Sequence, residues 1–198
     1  MRHDDQESGF TPLEEDRALI ERILARLDEA TDLTERADLS AELVRAVSRY
    51  EDVQERAIEP ALRHYLPTQA IETIDEAREE MRAALDVIHQ RTTHVDPRNV
   101  HRGDAQGFED ALDVTITKLV RLLALDDEAS RSLWQAAPEE ERRQLDAEVA
   151  HASRHASEQP HPPKTALGRL VSNAKVKMDH SMRDVSTRSK KARSTLKP

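Results

Sequence analysis

Tyr50 and Gln54 are polar residues that fall on an apolar stripe of a helical segment. Buried polar groups must be hydrogen-bonded, because each unsatisfied group costs about 1–3 kcal/mol. We therefore expect the Tyr50 hydroxyl to bond the Gln54 amide or an opposing carboxylate such as that of Asp126. Arg17 is expected to pair with this carboxylate. The apolar positions of the same stripe are Leu43, Val47, Ala57 and Ala61.

Other carboxylates occur in short runs that could in principle build an acid/base or divalent-cation site. They fall mostly beside the apolar stripes, where charged residues usually face solvent. We interpret them as solvated helix faces, and we find no Gly-rich phosphate loop and no nucleophile motif. The sequence therefore predicts a protein that is not an enzyme. The runs are Glu51-Asp52, Glu79-Glu80 and Asp126-Asp127-Glu128.

The elements that position these residues are predicted to be long amphipathic helices with short connections. The chain has only four Gly, and almost none of it alternates at period two, so it reads as all-α. Four such helices favour an antiparallel up-down four-helix bundle, here with an extra C-terminal helix and a basic tail. The predicted helices begin at Thr11 (as an N-cap), at 32–35 with a bend at Pro60, at 67–68, at Phe108 after a loop through Gly103 and Gly107, and at Glu139.

Four regions are predicted along the chain. Residues 1–11 are expected to be a disordered N-terminus and 12–157 the bundle. Residues 158–164 form a Pro-rich linker, and 165–198 a basic amphipathic helix with a disordered end. Cysteine is absent, and we find neither a membrane-spanning stretch nor a signal peptide. A cytoplasmic location is therefore the expectation.

The net charge of −9 hides an asymmetry between body and tail. Residues 160–198 carry ten Lys/Arg and two Asp/Glu, a local charge of +8. Such a helix could bind an anionic membrane or nucleic acid, join a partner protein or second copy of the chain, or dock on its own acidic bundle. These alternatives stay open. The predicted tail-binding residues are Arg169, Lys175, Lys177, Arg183, Arg188, Lys190 and Lys191.

The segment Ser48 to Leu62, with its ending Ile-Glu-Pro-Ala-Leu, resembles the second helix of hemerythrin-like (HHE cation-binding) domains. Pro160-His161-Pro162 and the later Asp179, Arg183-Asp184 and Arg188 are similar to the end of many bacterial members. The resemblance implies a four-helix bundle around a di-iron centre held by His and carboxylate ligands.

The ligands that the resemblance implies are replaced in this chain. A thioether, aliphatic side chains, an amide and a guanidinium ion are poor substitutes for the imidazole and carboxylate that bind iron. We therefore expect the metal site to be lost and no cofactor to be bound. The former metal-site positions are Arg17, Tyr50, Gln54, Met81, Leu85, Leu123 and Asp127.

Three functions follow as hypotheses. The first is a non-enzymatic structural, regulatory or interaction protein. In the second, a divergent family member still binds iron or another cation for oxygen, nitric oxide or iron sensing or storage. The third is an adaptor that uses its basic tail. The cation ligands of the second hypothesis would be Glu80, Asp126, Asp127 and Glu128.

Overall fold

The computed structural model describes residues 10–94 and 102–159. This part of the chain is all-α, and its helices pack against one another around a shared apolar core. The described ranges contain no β-strand. The helices are α1 (Thr11–Glu29), α2 (Leu33–Val53), a π-helical turn (Gln54–Ile58), α3 (Glu59–Tyr65), α4 (Thr68–His94), α5 (Arg102–Ala136) and α6 (Glu139–Arg154).

The chain enters α1 differently from the prediction. Phe10 precedes the helix, Thr11 is already helical, and no side chain caps this end. Pro12 suits the first turn because its missing N–H would have no partner there. Phe10, expected in a disordered N-terminus, is instead buried, and its ring meets that of Trp134 edge-on at 5.4 Å. This aromatic contact fixes the start of α1 against α5. Residues 1–9 lie outside the described residues.

Next to Pro60, where a bend is predicted, the structure has a π-helical turn between α2 and α3. Pro60 has no backbone N–H, so the carbonyl of Arg56 cannot receive the usual α-helical bond from it. The preceding turn widens, and the Glu59 N–H bonds to the Gln54 carbonyl, five residues back. Gln54 is thus the first residue of the π turn and is buried.

One predicted boundary is corrected. The predicted loop through Gly103 and Gly107 is helical from Arg102 onward, so α5 begins earlier than Phe108. The helix predicted from Glu139 is α6, which buries Leu145 and Val149 and packs on α1, α2 and the π turn. None of the described helices is both long and apolar enough to cross a lipid bilayer.

Candidate functional site

The Tyr50 hydroxyl lies at the centre of a buried hydrogen-bond chain. It receives a hydrogen bond from the Gln54 amide nitrogen at 2.9 Å and donates one to the Asp126 carboxylate at 3.3 Å. Residues 50 and 54 are one helical turn apart on α2 and the π turn, and Asp126 approaches from α5. The two partners expected for the hydroxyl are therefore both present.

The surroundings of this chain change its acid–base chemistry. Burial raises the pKa of Asp126 to about 6, although the positive charge of Arg78 lowers it. Burial, together with the negative charge of Asp126, also holds the pKa of Tyr50 well above its usual value. The phenol is therefore neutral at physiological pH, and Asp126 is close to its point of protonation.

Arg78 of α4 is a buried cation that faces four carboxylates, of which Asp75 is the most distant at 3.9 Å. One guanidinium nitrogen lies 3.4 Å from Asp126, and another lies 3.3 Å from Glu59. The Nε atom is 3.6 Å from Glu51, a longer ion-pair contact. A side chain only 3% exposed can keep its charge because these anions surround it.

Arg82, one turn further along α4, is a second buried cation. Its Nε donates to Glu51 at 3.0 Å, and a terminal nitrogen donates to Glu55 at 2.9 Å. Arg78 and Arg82 thus share Glu51, and the two nearly inaccessible guanidinium ions are matched by the equally buried carboxylates of Glu51 and Asp126. We call these four residues the core ion network. Their formal charges cancel, which a low-dielectric interior requires.

The core ion network corrects the expectation that the carboxylate runs are solvated. Glu51, Asp52 and Asp126 are each only 2% exposed. The sequence contains a pattern that indicates this pairing, but the pattern is visible only when two helices are compared. Glu51 of α2 and Glu55 of the π turn are four residues apart, and Arg78 and Arg82 have the same spacing on α4. Two rows of opposite charge with equal spacing can pair across a helix interface.

Asp52, beside Glu51, joins α2 to the segment that follows α6. Its carboxylate accepts a hydrogen bond from the Ser157 backbone N–H at 2.9 Å and forms an ion pair with Arg56 at 3.0 Å. Arg49, one turn earlier, pairs with Asp16 of α1 at 2.9 Å and donates to Ser153 of α6 at 2.8 Å. Two residues of α2 therefore fix the position of α6.

Arg17 was expected to pair with Asp126, but the structure shows no ion pair between them. Its guanidinium bonds Asp127 at 3.0 Å and Glu21 at 3.1 Å, near the protein surface. The neighbouring Asp126 projects inward to Arg78 instead, because successive residues of a helix point about 100° apart. Arg17 and Asp127 nevertheless lie with Tyr50, Gln54 and Asp126 around a single cavity.

The remaining former metal-site positions are apolar. Met81, Leu85 and Leu123 are buried in the hydrophobic core, and none of them lines the cavity next to Tyr50. Among the described residues, no group of three or more His, Asp or Glu side chains is arranged to hold a metal ion. The side chains present do not fit a di-iron centre, since the buried carboxylates already bind guanidinium ions.

The four alternative cation ligands are not brought together. Glu80 pairs with Lys118 at 2.6 Å and with Arg121 at 3.0 Å on the outer side of α4 and α5. Asp127 faces Arg17 and Arg131, and Glu128 is exposed. Asp126 is the one residue of this set that enters the core. The predicted tail-binding residues, from Arg169 to Lys191, lie outside the described residues.

Comparison of the chain with protein-family models, with curated proteins and with solved structures finds no match. The resemblance to hemerythrin-like domains therefore remains a prediction from the sequence. The described features that bear on function are the core ion network and the cavity beside it.

Proposed function

We propose that this chain is a hemerythrin-like antiparallel up-down four-helix bundle in which the core ion network has replaced the di-iron centre. In this proposal the protein is a non-enzymatic structural, regulatory or interaction protein of the cytoplasm. The observation that carries the proposal is the placement of Arg78 and Arg82 among the buried carboxylates.

Two fixed guanidinium ions make the interior unfavourable for a metal cation. Iron would have to displace Arg78 or Arg82 from Glu51 and Asp126, leaving a buried positive charge without its partner. Breaking a buried ion pair in this way typically costs about 3–5 kcal/mol. Imidazole ligands would have to supply the missing affinity, yet none of the former metal-site positions holds a histidine.

The arginine cations can also explain how the fold is kept without a metal. Carboxylates that project inward need positive charge, and a guanidinium ion supplies it from within the chain. It also donates in a fixed planar geometry, so Arg82 joins α4 to α2 through Glu51 and to the π turn through Glu55. A bundle stabilised in this way would keep its structure whether iron is abundant or scarce.

The metal content of the purified protein tests the proposal. The full chain, made without an affinity tag in iron-supplemented medium, would be measured by elemental analysis and visible absorption. We expect far less than one metal ion per chain and no ferric charge-transfer band. Stoichiometric iron with an oxo-bridge band would overturn the proposal in favour of an iron- or oxygen-sensing protein.

The charge asymmetry favours a second role for the tail, as an adaptor. The +8 carried by residues 160–198 would attract anionic lipid or nucleic-acid phosphates, while the acidic body would be repelled from them. Deletion of residues 164–198 should abolish binding to anionic vesicles and DNA at low salt. If the deletion leaves binding unchanged, or the full chain binds neither, the adaptor role is excluded, and a helix that joins a second copy or a partner protein becomes the better account.

A further inference from the structure

A cavity of about 330 Å³ lies between the first half of α1 and the second half of α5. Its size is at the lower end of the range for small-molecule sites in proteins. The buried end is formed by Tyr50, Gln54 and Asp126, so the cavity meets the hydrogen-bond chain described above. The core ion network does not account for this cavity.

Gln54, one of the residues that form the buried end, has an acceptor without a hydrogen-bond partner among the described residues. Asp126 accepts the proton of Tyr50, so the tyrosine oxygen must in turn receive its hydrogen bond from the Gln54 amide nitrogen. This order of donation leaves the other amide atom, Oε1, as an acceptor. It is fully buried and receives no hydrogen bond from the described residues. An unsatisfied buried acceptor costs free energy that a ligand N–H donor would recover.

The charges around the cavity also favour a donor that is positively charged. Its lining contains four carboxylates and two guanidinium groups, so the formal charge is −2. The two guanidinium groups, of Arg17 and Arg131, both pair with Asp127 at the outer end. The buried end therefore offers two acceptors, the Gln54 amide oxygen and the Asp126 carboxylate.

The wall between these ends is apolar and aromatic. Phe10 and Leu13 contribute from the start of α1, and Trp134 contributes from α5. Aromatic and aliphatic surfaces of this kind bind the body of an organic molecule, while a few polar groups fix its orientation. A matching ligand has a cationic head and a short apolar body.

We propose that this cavity binds a small organic amine in its protonated form. The ammonium group donates to Gln54 Oε1 and to the Asp126 carboxylate, and an aromatic or aliphatic body lies against Phe10, Leu13 and Trp134. Such binding needs neither a metal nor the tail, so it stands independently of the proposed loss of the di-iron centre.

Trp134 allows a direct test because it is the single tryptophan of the chain. The full chain would be titrated with 2-phenylethylamine, followed by intrinsic fluorescence and calorimetry. The comparison compounds are 2-phenylethanol, which keeps the shape but loses the charge, and 3-phenylpropionate, which reverses it. We expect saturable binding of the amine with a Kd of about 1 mM or below, at least about tenfold weaker binding of the alcohol, and none of the carboxylate.

Two variants locate the ammonium group. Gln54→Met keeps the length of the side chain and removes the acceptor, and Asp126→Asn removes the charge. Each should weaken amine binding about tenfold or more. The exposed residues Gln69 and Asp110 provide matched controls, and Gln69→Met and Asp110→Asn should leave the affinity unchanged.

Some results would overturn the proposal. They are the absence of saturable amine binding, equal affinity for the alcohol, and amine binding that neither core variant weakens. If the core variants do not fold, as judged by circular dichroism, the comparison of the three probes on the unmodified chain still decides the question.

Discussion

The guanidinium group of Arg78 lies 3.4 Å from the carboxylate of Asp126, and both side chains are almost completely buried. The pair joins α4 to α5 across the core, at the level where Tyr50 of α2 also contacts Asp126. Three helices therefore meet at one carboxylate. Groups held in this way stabilise the fold only as long as each keeps its partner.

Replacing Arg78 with methionine should be strongly destabilising. The substitution keeps much of the side-chain volume but leaves Asp126 without its guanidinium ion and Glu51 with only Arg82 of the two. We expect a loss of about 3–5 kcal/mol in the free energy of unfolding, measured with denaturant at pH 7.

A matched surface pair provides the control for this variant. Arg143 pairs with Glu139 on the solvated side of α6, and its side chain is 69% exposed. Arg143→Met should change the free energy of unfolding by less than about 1 kcal/mol. If Arg78→Met were equally mild, the core ion network would not be a source of stability.

Protonation of Asp126 should make stability depend on pH between about 4 and 6. Its pKa in the folded protein is raised to about 6 by burial, with Glu51 raising it and Arg78, Tyr50 and Arg17 lowering it. The folded state therefore holds this proton more tightly than the unfolded chain, and the associated stability is lost as the pH rises through this window.

The variant Asp126→Asn isolates this effect because an amide does not titrate. The free energy of unfolding of the variant, relative to that of the unmodified protein, should rise by on the order of 2 kcal/mol from pH 4 to pH 7. Denaturant unfolding at each pH measures this difference. A constant difference between the two proteins across this range would mean that Asp126 titrates normally.

The Tyr50 hydroxyl should contribute measurably to stability. Tyr50→Phe removes the acceptor of the Gln54 amide and one donor to Asp126, at an expected cost of about 1–3 kcal/mol. The other tyrosine of the chain, Tyr65, bonds Glu141 at the surface. Tyr65→Phe should have a much smaller effect in the same unfolding measurement, because this hydroxyl is at the surface. Equal costs for the two variants would count against a buried hydrogen-bond chain.

Loss of the Arg49 side chain should loosen α6. Arg49 bonds Asp16 and Ser153, and Arg49→Met would leave the mostly buried Asp16 carboxylate without this cation. Amide hydrogen exchange within α6 should accelerate more than exchange within α4. The exposed Arg45 of the same helix is the control, since Arg45→Met should leave both exchange rates unchanged. Uniform acceleration in both helices would indicate global destabilisation instead.

The hydrogen-bond chain could be predicted from the sequence because its residues interrupt an apolar pattern. Tyr50 and Gln54 lie one turn apart on a stripe of aliphatic residues, so their burial and mutual contact follow from helical periodicity. Asp126 could be suggested as their partner for the same reason. Each of these predictions concerns one face of one helix, on which periodicity is most informative.

The core ion network could not be found in this way. Glu51 and Arg82 lie beside the stripes of their helices, where a single helix gives no reason to bury a charge. They become buried only because α2 packs on α4, which brings the two oppositely charged rows into register. The π turn before Pro60 could not be predicted either, since the sequence indicates a bend at this proline but not the wider turn that accommodates it.

The central claim is that arginine cations occupy the interior in place of a metal, and ligand-linked thermal stability tests it most directly. The full chain, stripped with chelator, would be melted anaerobically with and without excess Fe(II). If the folded state binds the metal, a free metal concentration of about 100 times Kd would add about 2.7 kcal/mol to the free energy of unfolding. Such a gain would raise Tm by several degrees. We predict that Tm changes by less than about 1 °C. A saturable rise of several degrees that tracks bound iron would contradict the claim.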